Sequence, residues 1–172
     1  MNNFTTNTYE MKREIINFSE KISIGVNKPT SKFIMDMQFG LAKNGSCLIS
    51  EIARSLNEDI KLQNTIERLC DNLSNLTKEE YRIIENNYLE EVKENIDKDD
   101  VVALFDNSDV NKEYSRKLED LDKVIDASSQ DKRIVNGYHI CEATVLTKNE
   151  KQPMSVYSKI YSTKSNGFKS MN

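Results

Sequence analysis

The stretch Val101–Asp106, with the sequence VVALFD, divides the chain into two halves of different character. Five consecutive apolar residues are typical of a short strand buried on both faces, whereas a half-exposed strand alternates apolar with polar residues. The polar segment 97–100, with the sequence DKDD, precedes this run, and the carboxylate of Asp106 ends it. We therefore predict a central, buried strand over 101–105, with Asp106 at its carboxyl end.

The segments that follow predict two more strands. Residues 111–130 are polar and mixed, which favours a loop with a short helix, and Asn136-Gly137 is typical of a turn. Tyr138–Leu146 and Met154–Tyr161 both have the composition of strands. The short polar segment 148–151 between them predicts an antiparallel hairpin. The second half is therefore expected to form three mainly antiparallel strands.

Residues 1–97 have the apolar spacing of helices rather than strands. Ser46 is a candidate N-cap for the third helix, and Thr77 followed by Glu80 is a capping-box pattern that begins the fifth. The predicted fold is therefore α+β, with a helical region over 1–97 and a sheet region over 98–172. The five predicted helices span about 9–22, 29–44, 47–56, 61–73 and 77–96.

Composition limits the classes of function. The 172 residues carry a net charge of −4, whereas nucleic-acid binders usually have a basic excess. The end of the chain, 148–172, nevertheless holds five lysines against one glutamate. No apolar run approaches the roughly 18 residues of a membrane helix, and the first residues lack the apolar core of a secretory signal, so we expect a cytoplasmic protein without membrane contact.

The cysteines favour reduced thiols over a structural zinc site. Cys47, Cys70 and Cys141 are far apart, and His139 is the single histidine. A structural zinc site needs about four such ligands close together.

Two groups of residues could carry chemistry. Asp106 could be a metal-binding carboxylate at a strand end, although Asp-Asn-Ser is also ordinary turn chemistry. The third and fourth helices could form a helix-turn-helix, and an ordinary helical hairpin is the alternative. In the first case the fourth helix would present four polar side chains to a DNA groove: Lys61, Gln63, Asn64 and Arg68.

Several segments together resemble DDE-class bacterial insertion-sequence transposases, in which a helical region precedes a ribonuclease-H-like catalytic domain. Residues 47–56 (CLISEIARSL) and 65–69 (TIERL) are similar to the family's N-terminal region. Residues 101–112 (VVALFDNSDVNK) resemble its first catalytic strand. Residues 121–129 (LDKVIDASS), 136–141 (NGYHIC) and 152–156 (QPMSV) resemble the following loop and the entries to strands two and three.

The resemblance implies that Asp106, or alternatively Asp109, is the first catalytic carboxylate and a ligand of Mg²⁺. The family needs two more carboxylates, and no residue in 113–172 matches either one. We therefore expect a truncated transposase fragment with an incomplete ribonuclease-H-like domain, DNA at transposon ends as its partner, no catalysis and no stably bound Mg²⁺. A homodimer is also consistent with the sequence.

Two other functions are consistent with the residues. The chain could be a standalone interaction protein, with a helical module and a β-hairpin that pairs with another chain through an open sheet edge. It could also be a small metal-dependent nuclease, which the single candidate ligand disfavours.

Overall fold

The fold is α+β, as predicted: five helices precede an antiparallel sheet. The computed structural model describes residues 3–96, 101–126, 129–146 and 152–170, with side chains from residue 9 onward. The chain divides into two compact units, Met1–Glu91 (unit 1) and Val92–Asn172 (unit 2). None of the described helices is long and apolar enough to cross a membrane.

The five predicted helices are confirmed; the first begins at Asn3, six residues before its predicted start, and the others differ by at most two residues at either end. Thr77 and Glu80 form the predicted capping box, because the Thr77 hydroxyl accepts from the Glu80 N–H while the Glu80 carboxylate accepts from the Thr77 N–H, each at 3.1 Å. The helices are α1 (Asn3–Ile22), α2 (Lys28–Asn44), α3 (Ile49–Leu56), α4 (Leu62–Asn75) and α5 (Lys78–Asn95).

The predicted cap of the third helix was wrong. Helix α3 begins at Ile49, its N-cap residue is Leu48, and no side chain caps it. Ser46 lies too far upstream, and its hydroxyl instead accepts a hydrogen bond from the Leu48 N–H at 3.3 Å.

The core of unit 1 lies where α2 and α3 approach each other. A Cβ atom added to Gly40 of α2 would lie 2.5 Å from the Ile52 Cγ2 atom and 3.0 Å from its Cα, so only glycine permits this approach. Ile52 is fully buried as a result. Its buried neighbours in the core are Ile22, Phe33, Ile34, Ala53 and Leu69.

The described part of unit 2 contains four strands rather than the three predicted. They are β1 (Ala103–Asn111), β2 (Asp122–Ile125), β3 (Ile134–Leu146) and β4 (Pro153–Tyr161). All pairings are antiparallel, and β3 pairs with each of the other three strands. Strand β2 lies in the segment predicted to be loop with a short helix; its four residues are too few to show strand periodicity.

The predicted central, buried strand is instead an exposed edge strand. Among the described strands β1 pairs only with β3, and Leu104 and Phe105 remain 52% and 68% exposed. The strand also continues to Asn111, so Asp106 lies near its middle and not at its carboxyl end. A strand with one neighbour and open faces keeps its apolar side chains in contact with solvent.

Asn136-Gly137 is not a turn but part of β3, which begins at Ile134. Gly137 lies opposite both Asn111 of β1 and Asp122 of β2. An added Cβ would lie 2.5 Å from the Val110 carbonyl oxygen and 2.5 Å from the Val124 Cγ2 atom. Glycine is therefore required by the crowded centre of the sheet.

Candidate functional site

Asp106 lies in the solvent-exposed first part of β1. It is exposed and lies directly opposite Glu142 of β3. Side chains at such positions are about 5 Å apart at Cβ, so two carboxylates meet on this face of the sheet. Asp109 lies three residues further along and therefore on the opposite face.

Asp109 is already engaged by His139. Its Oδ1 atom lies 2.8 Å from His139 Nδ1, and both side chains are largely shielded from solvent. A carboxylate held in this way is less available to a metal ion than the exposed Asp106. The geometry therefore favours Asp106 over Asp109 as the position that a divalent ion could reach.

The residues present do not fit a stable magnesium site. Mg²⁺ requires near-octahedral oxygen coordination, and two ions require several shared carboxylates. Across the described residues there is no group of three or more histidine, cysteine or acidic side chains that could hold a metal ion. Asp106 and Glu142 supply only two carboxylates on this face of the sheet.

Asp122 anchors the segment that follows β4. Its Oδ2 atom accepts hydrogen bonds from the Thr163 N–H at 2.7 Å, the Thr163 hydroxyl at 2.5 Å and the Ser162 hydroxyl at 3.3 Å. Burial acts to raise the pKa of Asp122, but these hydrogen bonds and one from the Lys123 N–H outweigh it and lower the pKa to about 2. His139 Nε2 lies 3.8 Å from the same Oδ2 atom.

The sheet face that carries His139 also forms an open groove of about 710 Å³. By register, three rows cross β1, β3 and β4 on this face: Phe105, Ala143 and Tyr157; Asn107, Cys141 and Lys159; Asp109, His139 and Tyr161. We call this surface the aromatic groove and define it by six lining residues: Phe105, Asn107, Tyr157, Lys159, Tyr161 and Phe168.

Three rings stack at one end of the aromatic groove. The His139 and Tyr161 ring centroids lie 5.3 Å apart, and those of Tyr161 and Phe168 lie 6.2 Å apart with planes only 3° from parallel. The other end is open, because Phe105 and Tyr157 are exposed and the small Ala143 lies between them.

Sequence reasoning missed this groove, although part of its signal is local. Tyr157, Lys159 and Tyr161 alternate along β4 and must share a face. Phe105 and Asn107 of β1 join this face only through the register of β1 with β3, and no local sequence pattern reveals that register.

In unit 1 the structure separates the four predicted DNA-binding residues. Lys61 and Asn64 are exposed near the start of α4, and Gln63 is exposed but donates a hydrogen bond to Glu67 at 2.9 Å. Arg68 is only 29% exposed and donates to Asp36 of α2 at 2.8 Å and to Glu58 at 2.9 Å. Its guanidinium links α4 to α2 and to the turn that precedes α4.

The electrostatics of Arg68 agree with a structural role. Burial acts to lower the pKa of Arg68, but hydrogen bonds and charges from Asp36 and Glu58 outweigh it and raise that pKa. Burial likewise acts to raise the pKa of Glu58, and hydrogen bonds from Arg68 and Thr65 lower it overall. Arg68 and its two carboxylate partners therefore stabilise one another's charged forms. Arg68 could contact DNA only after its ion pairs with Asp36 and Glu58 break.

No protein-family model, curated protein or solved structure matches the chain.

Proposed function

We propose that the chain is a cytoplasmic DNA-binding protein of the DDE-class insertion-sequence transposase type, which lacks a complete set of catalytic carboxylates and does not itself catalyse transposition. Unit 1 would contact DNA, and unit 2 would carry the first carboxylate of a ribonuclease-H-like sheet. The Asn136-Gly137-Tyr138 motif and the strand that begins at Pro153 are the other two segments of unit 2 on which the resemblance depends.

One observation carries the proposal: the three segments that resemble successive catalytic-domain strands lie on neighbouring strands in antiparallel succession. Strand β1, with Asp106, pairs with β3, and β3 pairs with β4. The pairing of β1 with β3 joins residues 26 to 42 positions apart, and the sequence similarity of short motifs does not impose it. It supports the proposal without depending on the burial that was wrongly predicted for β1.

DNA contact would fall to the exposed residues at the start of α4. Lys61 and Asn64 remain accessible, whereas Arg68 is held by two carboxylates. The acidic residues Glu58 and Glu67 lie beside them on the chain and oppose phosphate. We therefore expect weak binding whose affinity falls as salt rises, because counterion release drives such contacts.

Selection from a pool of random duplex DNA tests the proposal. The full chain should enrich a shared sequence at low ionic strength, and Lys61→Gln combined with Asn64→Ala should abolish that enrichment. Lys78→Gln is the matched control, since Lys78 is also exposed at the start of a helix. The proposal fails if no sequence is enriched, or if the double variant enriches the same sequence as the unchanged chain.

A second function, pairing with another chain through the sheet edge, is favoured by the exposed apolar residues of β1. Two backbone hydrogen bonds at the ends of β1 give its bonding pattern. The Val102 carbonyl accepts from the Leu146 N–H, and the Lys112 N–H donates to the Asn136 carbonyl. Even-numbered residues of β1 therefore bond to β3, and odd-numbered residues direct their backbone groups outward. An unpaired edge of this length is a template for strand addition.

Asn107→Pro tests edge pairing, because it removes an outward N–H and leaves the bonds to β3 in place. If the edge pairs two copies, light scattering should show a dimer for the unchanged chain and a monomer for this variant. A monomeric unchanged chain, or a dimer that survives Asn107→Pro, would exclude self-pairing through β1.

A further inference from the structure

We propose that the aromatic groove binds single-stranded DNA, with bases stacked on Phe105 and Tyr157 and phosphates held by Lys159 and Lys169. This inference goes beyond the proposed function. It concerns the sheet face opposite Asp106, and it uses none of the residues assigned to duplex DNA in unit 1.

The arrangement of aromatic and small side chains is the first argument. Phe105 and Tyr157 flank Ala143 in one cross-strand row, and their strands lie on either side of β3. Neighbouring strands are about 4.8 Å apart, so the two backbones are separated by about 10 Å across the small Ala143. This gap leaves the exposed faces of both rings accessible to a flat base, and base–aromatic stacking contributes about 1–3 kcal/mol per base.

The exposure of these rings is the second argument. Phe105 is 68% exposed and Tyr157 is 49% exposed, whereas Tyr161 at the other end is covered by its stack with His139 and Phe168. Large aromatic side chains on a sheet normally find a packing partner. One end of the groove therefore holds a ring covered by two others, and the opposite end presents two exposed rings.

Local charge on the β4 side of the groove favours an anionic occupant there, although two lysines and two acidic residues line the groove as a whole. Lys159 lies between Tyr157 and Tyr161 on β4, and Lys169 follows Phe168. Neither lysine forms an ion pair within the described ranges, and residues 152–170 contain three lysines and no acidic residue. Glu119 and Asp120 line the groove from the loop before β2, which confines the phosphates to the side formed by β4 and the segment after it.

A polymer with flat bases and phosphates is the ligand that would contact both the exposed rings and the lysines. An apolar peptide would leave the lysines unused, and a duplex would hide its bases from the rings. Single-stranded DNA exposes bases and phosphates together, and site sizes of about 4–16 nucleotides are usual for such grooves.

The test uses the full chain and a fluorescein-labelled strand of about twelve thymidines, followed by fluorescence anisotropy. We expect saturable binding. Phe105→Leu and Tyr157→Leu should each weaken it about 5- to 150-fold, the range that corresponds to one stacked base. Tyr157→Phe should bind normally, because it retains the ring. Tyr114→Leu is the matched control, since Tyr114 is 91% exposed and lies outside the groove.

The salt dependence of the affinity tests the two lysines separately from the rings. Each phosphate contact on a single strand contributes about −0.7 to the slope of log affinity against log salt, so two lysines predict a slope of about −1.4. Lys159→Gln and Lys169→Gln should each reduce its magnitude by about 0.7. Lys117→Gln, an exposed lysine outside the groove, should leave the slope unchanged.

Three results would overturn the proposal. They are the absence of saturable binding by the unchanged chain, normal binding by a correctly folded Tyr157→Leu, and equal weakening by Tyr157→Phe and Tyr157→Leu. Folding of each variant is checked by its NMR amide spectrum. Because Lys61→Gln with Asn64→Ala should leave thymidine binding intact, failure of this groove and failure of duplex recognition by unit 1 are distinguishable.

Discussion

The ionisation of Asp122 should contribute to the stability of unit 2. Its pKa of about 2 lies below the usual value near 3.9, because four hydrogen bonds favour the carboxylate. The carboxylate therefore contributes stability that is fully present above about pH 4 and is lost as the pH falls through about 2.

We expect Asp122→Ala to lower the free energy of unfolding of unit 2 by about 2 kcal/mol near neutral pH. The difference from the unchanged chain should shrink between about pH 4 and pH 2. Urea unfolding, followed on NMR amide signals of β3, measures both effects. Asp131→Asn is the control, since Asp131 is exposed; a pH-independent loss in Asp122→Ala would mean that the charge is not the cause.

Gly40 is a second position where one atom decides the packing. Alanine there places its Cβ within 3.0 Å of the Ile52 backbone, which cannot move without shifting α3. We expect Gly40→Ala to destabilise unit 1 by about 1–3 kcal/mol despite the higher helix propensity of alanine. The measurement is the same urea titration, followed on α2 amides.

Gly167→Ala is the comparison for that titration, because nothing lies within 4 Å of the Cβ that it adds. A stabilising Gly40→Ala would show that α2 and α3 are less closely packed than described.

At the scale of elements, α4 is linked to α2 by ion pairs as well as by apolar packing. Arg68 bridges Asp36 and Glu58, and the Asp36 side chain is only 9% exposed. Removing Arg68 leaves Asp36 with Lys32 as its remaining charged partner. Uncompensated buried carboxylates are costly, so this cluster should matter more to stability than an ordinary surface pair.

We expect Arg68→Met to lower the stability of unit 1 by about 1–3 kcal/mol. Lys61→Gln should leave the stability within about 0.5 kcal/mol of the unchanged chain. Thermal unfolding, followed by circular dichroism at 222 nm, measures the stability of both variants. If Arg68→Met were neutral to stability but abolished duplex binding, Arg68 would be a DNA-contacting residue after all.

For the whole molecule, the prediction concerns catalysis. Cleavage by the DDE class needs two divalent ions and three carboxylates, and the proposed resemblance supplies one carboxylate, Asp106 or alternatively Asp109. We expect the purified chain not to nick supercoiled plasmid with Mg²⁺ or Mn²⁺, and Asp106→Ala to remain at the same background. Metal-dependent nicking that disappears in Asp106→Ala would show that the chain contains a complete active site.

The net charge of −4 also acts on the whole molecule. It repels DNA at long range and makes every contact depend on a few local cations, such as Lys61 in unit 1 and Lys159 in unit 2. Binding to either form of DNA should therefore be weaker than that of a basic protein of equal size.

The five helices could be predicted from the sequence alone, because helical hydrogen bonds and the 3.6-residue period are local. The capping box of Thr77 and Glu80 was predictable for the same reason, as its partners are three residues apart. The α+β class followed from the change of pattern at Val101–Asp106. Strands β3 and β4 were also predicted, with errors only at their ends.

The position of each strand in the sheet depends on long-range contacts and could not be read from local patterns. An apolar run such as Val101–Phe105 has the same composition in a central strand and in an edge strand, so its exposure depends on which strands become its neighbours. The contacts of Asp109 with His139 and of Asp122 with Thr163 join residues 30 and 41 positions apart. Register sets these pairs and the rows of the aromatic groove, because it is a property of two segments together and of neither alone.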